Sequence, residues 1–328
     1  PTNPYIELYR GKLYNYLLKK FIRLCVTKLG KEVFSIKKSY PRTITNILSS
    51  WMFYNYSKYD FSKDPFIPDK SYGDDILKQT ILDLSKHLSV EKQEEIKSNI
   101  DSLFEEIDIE NIIVLLNQKM DEYKTSEEYL NQKDTYFIEK NLIYQIRYEK
   151  KILFYKFIVN VSINVSDKRL VNILDNILLP KYEYERLVSK YKGPPEKMDF
   201  YIWAILFRYQ ILGSNNNQLA VLPRILNQLQ KDFNLDFECF GSAINSNFSQ
   251  FNSLYYDIEK YFGSCGNFFS FFPINGTYSF NPPYQLNIIN NSIERLIVFL
   301  DKADSTNEEL SFIITIPIWD EEGKEQLN

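Results

Sequence analysis

One tetrapeptide in this chain has residue types and an order that suit a specific chemistry: Asn281-Pro282-Pro283-Tyr284. The preceding stretch, Thr277-Tyr-Ser-Phe280, reads as a strand, so the asparagine amide is expected to project just beyond a strand end. The two prolines fix two φ angles and remove two N–H donors. The loop then offers acceptors: the Asn281 side-chain oxygen and the Pro282 carbonyl. A planar aromatic amine needs such a pair, because its lone pair is delocalised into the ring and attacks poorly. Two acceptors on its two hydrogens draw the nitrogen towards a tetrahedral form whose lone pair can take a methyl group from a sulfonium. Tyr284 would stack on the heterocycle, a contact worth roughly 1–3 kcal/mol. As bare text, the same string also suits a turn after an edge strand.

The rest of the inventory narrows the chemistry. The single histidine, His87, lies in the helix-like run Ile76–Leu88 with no nucleophile pattern near it, and a structural role is the simpler reading. One histidine and no Cys-x-x-Cys argue against a His/Cys zinc centre. Cys25, Cys239 and Cys265 are few, odd in number and far apart, which reads as reduced thiols in a nuclear or cytoplasmic compartment. No window has the eighteen or so apolar residues of a membrane span, and the first residues carry no secretory h-region.

The elements that must position the tetrapeptide fall into two grammars. With 328 residues, 44% hydrophobic and 16% aromatic, the chain can bury a sizeable core in two domains. Up to residue 233 the apolar positions at Ile113–Leu116, Leu142–Ile146 and Ile152–Ile158 recur at three- and four-residue spacing, which predicts helices. Thr125-Ser-Glu-Glu128 resembles a capping box. Gly193-Pro194-Pro195 precedes a helix over 196–212 that stops at Gly213, 214–217 is a loop, and Pro223 opens a further helix. From 234 onward, short strands and helices alternate: strands at Phe237–Phe240, Asn267–Phe272, Thr277–Phe280 and a buried one at Leu310–Pro317, helices at Asn245–Ile258 and Asn290–Ala303. That order predicts an open α/β sheet, with ligands beyond the carboxyl ends of its strands. Four strands are fewer than a complete methyltransferase sheet needs, so the second domain is expected to be truncated at its C-terminus or completed by segments read differently.

Charge divides the same way. Residues 1–50 carry ten basic residues against Glu7 and Glu32, net +8, whereas the stretch from Asp236 to the end holds thirteen acids against four bases, net −9. Such asymmetry suits a polyanion gripped at one end, and equally a solvated helical face.

The stretch from Trp203 to Trp319 resembles the phosphorylated-CTD-interacting-factor family of cap-specific adenosine-N6 methyltransferases. Five blocks carry the resemblance in order: Leu206-Phe-Arg-Tyr-Gln210; Phe237-Glu-Cys-Phe-Gly-Ser242 with Asn245; Tyr261-Phe-Gly-Ser264; Asn281-Pro-Pro-Tyr284; and Ser311-Phe-Ile-Ile with Ile316-Pro-Ile-Trp319. The resemblance implies an α/β Rossmann-like methyltransferase domain, residues 234–328, preceded by a large all-α domain, residues 1–233, whose basic N-terminal part faces RNA. It implies S-adenosylmethionine as donor and capped RNA as partner, with the first transcribed adenosine, 2′-O-methylated, as acceptor. By the same route, Asn281, Pro282, Pro283 and Tyr284 form the catalytic loop. Glu238, Phe240, Gly241 and Ser242, with Asn281, lie against the cofactor, and Trp319 stacks on the cationic methylated guanine. Departures are visible at Tyr284 and Ala243, where the animal members carry phenylalanine and proline. No acid follows the catalytic loop in Gln285-Leu-Asn-Ile, and no WW-like module appears at the N-terminus.

Candidate RNA contacts are Arg208, in a matched block, and Lys37, Lys38 and Arg42, near the aromatic run Trp51–Tyr56. A solvated charge run beside core aromatics is the competing reading of each. Asn-Pro-Pro-Tyr loops also serve DNA adenine and protein glutamine methyltransferases, and a catalytically silent cap- or RNA-binding scaffold would keep the same fold.

Overall fold

Asn3 opens the first helix, α1 (Pro4–Leu29): its side chain accepts from the Ile6 N–H, Pro4 takes the first turn, and Gly30 at φ +85° ends it. The computed structural model describes residues 2–35, 39–56, 64–69, 73–147, 150–213, 220–284, 286–316, 318–319 and 325–326. After α1 come α2 (Tyr40–Tyr56), α3 (Asp75–Ser85), α4 (Val90–Ile107), α5 (Ile109–Thr125) and α6 (Glu127–Gln132). Asp108, left-handed at φ 50°, closes α4 and caps α5. Ser126, one residue past the predicted Thr125, caps α6 by accepting from the Tyr129 N–H.

The first part of the chain is not all-α, contrary to expectation. Strands β1 (Phe137–Arg147) and β2 (Lys150–Asn160) pair antiparallel from Phe137↔Asn160 to Arg147↔Lys150, and β3 (Leu178–Pro180) adds to β2. Apolar residues on both faces of a ribbon recur at every spacing, including three and four, so periodicity cannot separate the two states. The β-branched and aromatic content of Ile143-Tyr144 and Ile152–Val159 decides for strand. Between β2 and β3 lies α7 (Lys168–Asp175), capped by Asp167.

The chain then runs through α8 (Lys181–Lys190), α9 (Met198–Leu212) and α10 (Pro223–Phe233). Helix α9 is apolar on all sides and buried from Phe200 to Tyr209, as a helix with no solvent face must be. The second sheet holds β4 (Leu235–Glu238), β5 (Gln250–Phe251), β6 (Gly276–Phe280) and β7 (Leu310–Ile314), all parallel, in the order β5-β4-β6-β7. Short α11 (Tyr256–Glu259) and long α12 (Leu286–Thr306) lie among them in sequence, and β8 (Ile318–Trp319) pairs with β9 (Glu325–Gln326).

Helices cover both faces of this parallel sheet. Phe280, Phe268 and Cys239 pack with Leu296 and Phe299 of α12, joined by Phe312. Ile313, the next residue on β7 and hence on its other face, packs against the cluster of Leu226 on α10 with Leu235 and Phe248. Three local expectations change. Asn267–Phe272 is a 3-10 turn at Phe268–Ser270, capped by the Asn267 side chain, instead of a strand. Only Tyr256–Ile258 of the predicted 245–258 helix is helical: the Asn245 side chain accepts from the Ser242 N–H, and Gln250–Phe251 pairs with β4 as a strand. And β7 is half-exposed, because among the described residues it pairs on one side only, with β6.

Two compact units result: Pro1–Asn55, Asp60–Pro180 and Leu206–Gly213 in one, and Tyr56–Tyr59, Lys181–Ile205 and Ser214–Asn328 in the other. The expected boundary at 233 therefore falls inside the second unit, which takes in α8, the first half of α9 and α10. Among the described residues no helix is long and apolar enough to cross a membrane.

Candidate active site

Strand β4 is the first laid down in its sheet, and the chain goes to β5 on one side, then crosses to β6 on the other. The order reverses between β4 and β6, and in open parallel sheets ligands bind at such a switch point, outside the carboxyl ends of the strands. All four strands are parallel, so residues 239–242, 252–255, 281–284 and 315–316 emerge along one edge. The main-chain ladder carries past the strand ends: Cys239 N–H donates to Ser279 O at 2.8 Å and Thr315 N–H to Phe280 O at 2.8 Å.

Asn281 stands at the mouth of this switch point. Pro282 and Pro283 are buried, and Asn281 and Tyr284 half-buried. The Asn281 Oδ1 is shielded from solvent and has no hydrogen-bond partner among the described residues. A buried acceptor left unmet costs about 1–3 kcal/mol, so this oxygen is suited to a donor arriving with a ligand.

The neighbouring loop after β4 is built in the opposite manner. Glu238, 6% exposed, accepts at Oε1 from the Asn247 (2.6 Å) and Phe248 (3.2 Å) N–H groups. Burial raises its pKa, against the pull of those N–H groups and of Lys190 and Arg186. Phe240 packs its ring on Phe268 and Phe280. Gly241 donates its N–H to Asn252 O, and a Cβ there would meet Phe251 and Ser246 at 3.4–3.5 Å, ordinary contact distances. The Ser242 hydroxyl and N–H both reach Asn245 Oδ1, at 3.0 and 2.7 Å. Of the four residues expected against a cofactor, Glu238, Phe240 and Ser242 thus engage their side chains in shaping the loop, and Gly241 contributes backbone. Burial also pushes the Cys239 thiol well up, which suits a packing role.

Three residues that sequence reasoning missed hold this loop. Glu259, fully buried, accepts from Ala243 N–H at 2.8 Å and Tyr255 N–H at 3.0 Å. From α8, Arg186 donates to the carbonyls of Ala243, Ile244 and Ser246. Lys190 donates to Ser246 O at 3.0 Å and Phe248 O at 2.6 Å. Burial, then the nearby Arg186, lowers the Lys190 pKa to about 8. The only hint in the sequence was a pair of cations one helical turn apart in Arg186-Leu-Val-Ser-Lys190.

The candidate RNA contacts fare unevenly. Arg208 is 1% exposed, and its guanidinium bonds Glu7 at 2.9 and 2.8 Å within a cluster that includes Arg10 and Asp64. It is a core ion pair, not a phosphate contact; a helix apolar all round leaves its one arginine no route to solvent. Trp51 and Met52 are likewise fully buried, with Trp51 Nε1 donating to Gly73 O. Arg42 is exposed on α2, and Lys37 and Lys38 lie outside the described residues. Trp319 pairs with Glu325 through the backbone, and its side chain lies outside what is described. His87 is exposed, with Nδ1 against Leu84 O. No group of three or more His, Cys, Asp or Glu residues is placed to hold a metal among the described residues.

Fold and site together define an α/β protein with helices on both faces of a parallel sheet and an unmet acceptor at its switch point. Residues 182–328 match the family described as Phosphorylated CTD interacting factor 1 WW domain. The match begins within α8, so it takes in Arg186 and Lys190; it spans α9 to α12 and the parallel sheet. Two curated relatives are both named mRNA (2'-O-methyladenosine-N(6)-)-methyltransferase. The mouse protein is 33% identical over 126 residues, 37% of this chain and 17% of the relative. The human protein is 34% identical over 129 residues, 37% of this chain and 18% of the relative. The chain therefore spans less than a fifth of the length of the relatives it matches.

Proposed function

We propose that this chain is a Rossmann-like, S-adenosylmethionine-dependent methyltransferase of adenosine N6 in RNA. Its acceptor is the first transcribed, 2′-O-methylated adenosine beside a 7-methylguanosine cap. The observation that carries the reading is the buried Asn281 Oδ1, without a partner among the described residues, on a Pro-Pro loop at the sheet's switch point. The names of the mouse and human relatives supply the acceptor.

S-adenosylmethionine supplies an electrophilic methyl group on a sulfonium. The chain's own part is to prepare the nucleophile. Asn281 Oδ1 and the Pro282 carbonyl accept the two hydrogens of the adenine amine, which localises its lone pair and points it away from the loop. Burial of Oδ1 makes that hydrogen bond stronger than it would be in water. Buried Pro282 and Pro283 keep the acceptors from moving and offer no N–H that would compete for them. The methyl group would pass to nitrogen as its bond to sulfur breaks, leaving a neutral thioether, and both acceptors would stabilise the positive charge that grows on nitrogen until one proton passes to water. Tyr284 stacks on the base. A terminal, single-stranded nucleotide needs no duplex opening to reach this loop.

The test compares labelled methyl transfer to RNAs that begin with adenosine, capped and uncapped. Transfer to N6 of the first nucleotide in the capped RNA only is the expected result. Equal transfer to both would leave a general adenine methyltransferase. Cap binding without transfer would leave a silent scaffold.

A further inference from the structure

A second side-chain amide on the same edge is buried with no partner among the described residues. Asn252 directly follows β5 and is 1% exposed. Its backbone is pinned on both sides: the N–H donates to Glu238 O at 2.8 Å, and the carbonyl accepts from Gly241 N–H at 2.8 Å. Its side-chain Oδ1 and Nδ2 both lie shielded from solvent with no hydrogen-bond partner among the described residues. The adjacent Ser253 hydroxyl is committed to Ser264 at 2.7 Å. Native proteins keep few such groups, and a fully buried carboxamide with neither its donor nor its acceptor used is a site awaiting a partner.

Position and chemistry identify that partner. Strand order β5-β4-β6 puts the end of β5 two strand spacings, about 10 Å, from the end of β6, where Asn281 stands. The 239–242 loop lies between. A single ligand along this edge would meet Asn252 at one end and present its reacting group near Asn281 at the other. A carboxamide offers an acceptor and a donor side by side, and two neighbouring hydroxyls offer the complementary pair. In dinucleotide-binding parallel sheets, a ribose hydroxyl is held by an acidic side chain farther along the chain from the first turn, and here a carboxamide stands in that stretch.

We propose that Asn252 is a cofactor-recognition residue whose carboxamide holds the vicinal ribose hydroxyls of S-adenosylmethionine. The assignment rests on the reading of this edge as a methyltransferase cofactor site. It gives the cofactor a direction, with the ribose towards β5 and the sulfonium towards β6. It also assigns the ribose to a neutral amide, leaving the buried acids Glu238 and Glu259 to the loop.

Calorimetric titration of the whole chain with S-adenosylhomocysteine and its 2′-deoxy analogue tests this without turnover. The wild type should bind the ribose form about tenfold or more tightly than the deoxy form, the equivalent of one lost buried hydrogen bond. Asn252→Leu, of similar size, should weaken the ribose form by at least that factor and bring the two ligands to equal affinity. Its thermal midpoint should be unchanged or higher, because an unmet amide has been removed. Asn252→Asp keeps an acceptor and should retain part of the preference, which serves if the leucine variant fails to fold. Wild-type affinity and preference in either folded variant would overturn the proposal and leave the amide to a buried water. If the wild type binds neither ligand, the cofactor-site reading itself fails.

Discussion

The loops leaving β4 and β6 stand side by side on one sheet edge and are built in opposite ways. After β4, Glu238, Glu259, Arg186 and Lys190 together take up eight backbone N–H and carbonyl groups between Ala243 and Tyr255. After β6, two prolines delete donors, and the one asparagine keeps a shielded oxygen bonded to nothing described. Polar groups that are fully engaged hold a shape; a polar group kept dry and unengaged is available to a ligand. Position on the edge alone would not have separated the two loops.

Substitutions on each side should break that contrast in different observables. The largest effect is expected at Asn281→Ala. Loss of an acceptor aimed at developing charge should lower kcat/KM by about 10²–10³-fold, with the urea midpoint nearly unchanged. A stability loss as large as the activity loss would make Asn281 a structural residue like those after β4. Next, Glu259→Ala strands the Ala243 and Tyr255 N–H groups and should lower the unfolding free energy by about 3 kcal/mol, read by urea titration. Glu259→Gln, which keeps one acceptor, should recover roughly half. Arg186→Met releases three carbonyls that water can partly reach, so about 1–2 kcal/mol is expected, together with faster amide exchange across 243–248 and unchanged exchange at 281–284.

The smallest effect is a pH dependence. Burial and Arg186 hold the Lys190 pKa at about 8, below its ordinary 10.5. Between those values the unfolded chain binds the proton and the folded chain does not, so the Lys190 contribution to stability rises with pH across that window. The wild type should therefore gain stability relative to Lys190→Met from pH 8 towards 10. A flat difference would mean that the ammonium stays fully charged in the loop.

Much of the candidate site was legible in linear order, and its surroundings were not. Asn-Pro-Pro-Tyr announces itself because prolines remove donors whatever the fold, and β6 and α12 were readable from strand and helix patterns on either side. The loop after β4 is legible as a place, but the partners of its side chains are not. Glu238 and Ser242 have side chains suited to a ligand, yet the nearest groups in space are the Asn247, Phe248 and Asn245 backbone and amide groups. Arg208 illustrates the same limit. A basic residue in a matched block suggests phosphate, and only the packing of α1 on α9 within the first unit supplies Glu7 as its partner. The β1–β2 ribbon has apolar residues on both faces, which satisfy either period, so spacing alone predicts helix there.

What the sequence determined by itself was the local chemistry: a loop whose two prolines lack N–H donors, a single histidine with no nucleophile pattern around it, and an α/β grammar from residue 234 onward. These follow from side-chain types and from φ restrictions that hold in any context. Only the tertiary structure decided which polar groups remain unengaged. That depends on what lies opposite each one across strands and helices distant in sequence, as Glu259 does for Ala243 and Arg186 for Ile244, and as nothing described does for Asn281 Oδ1 and the Asn252 amide.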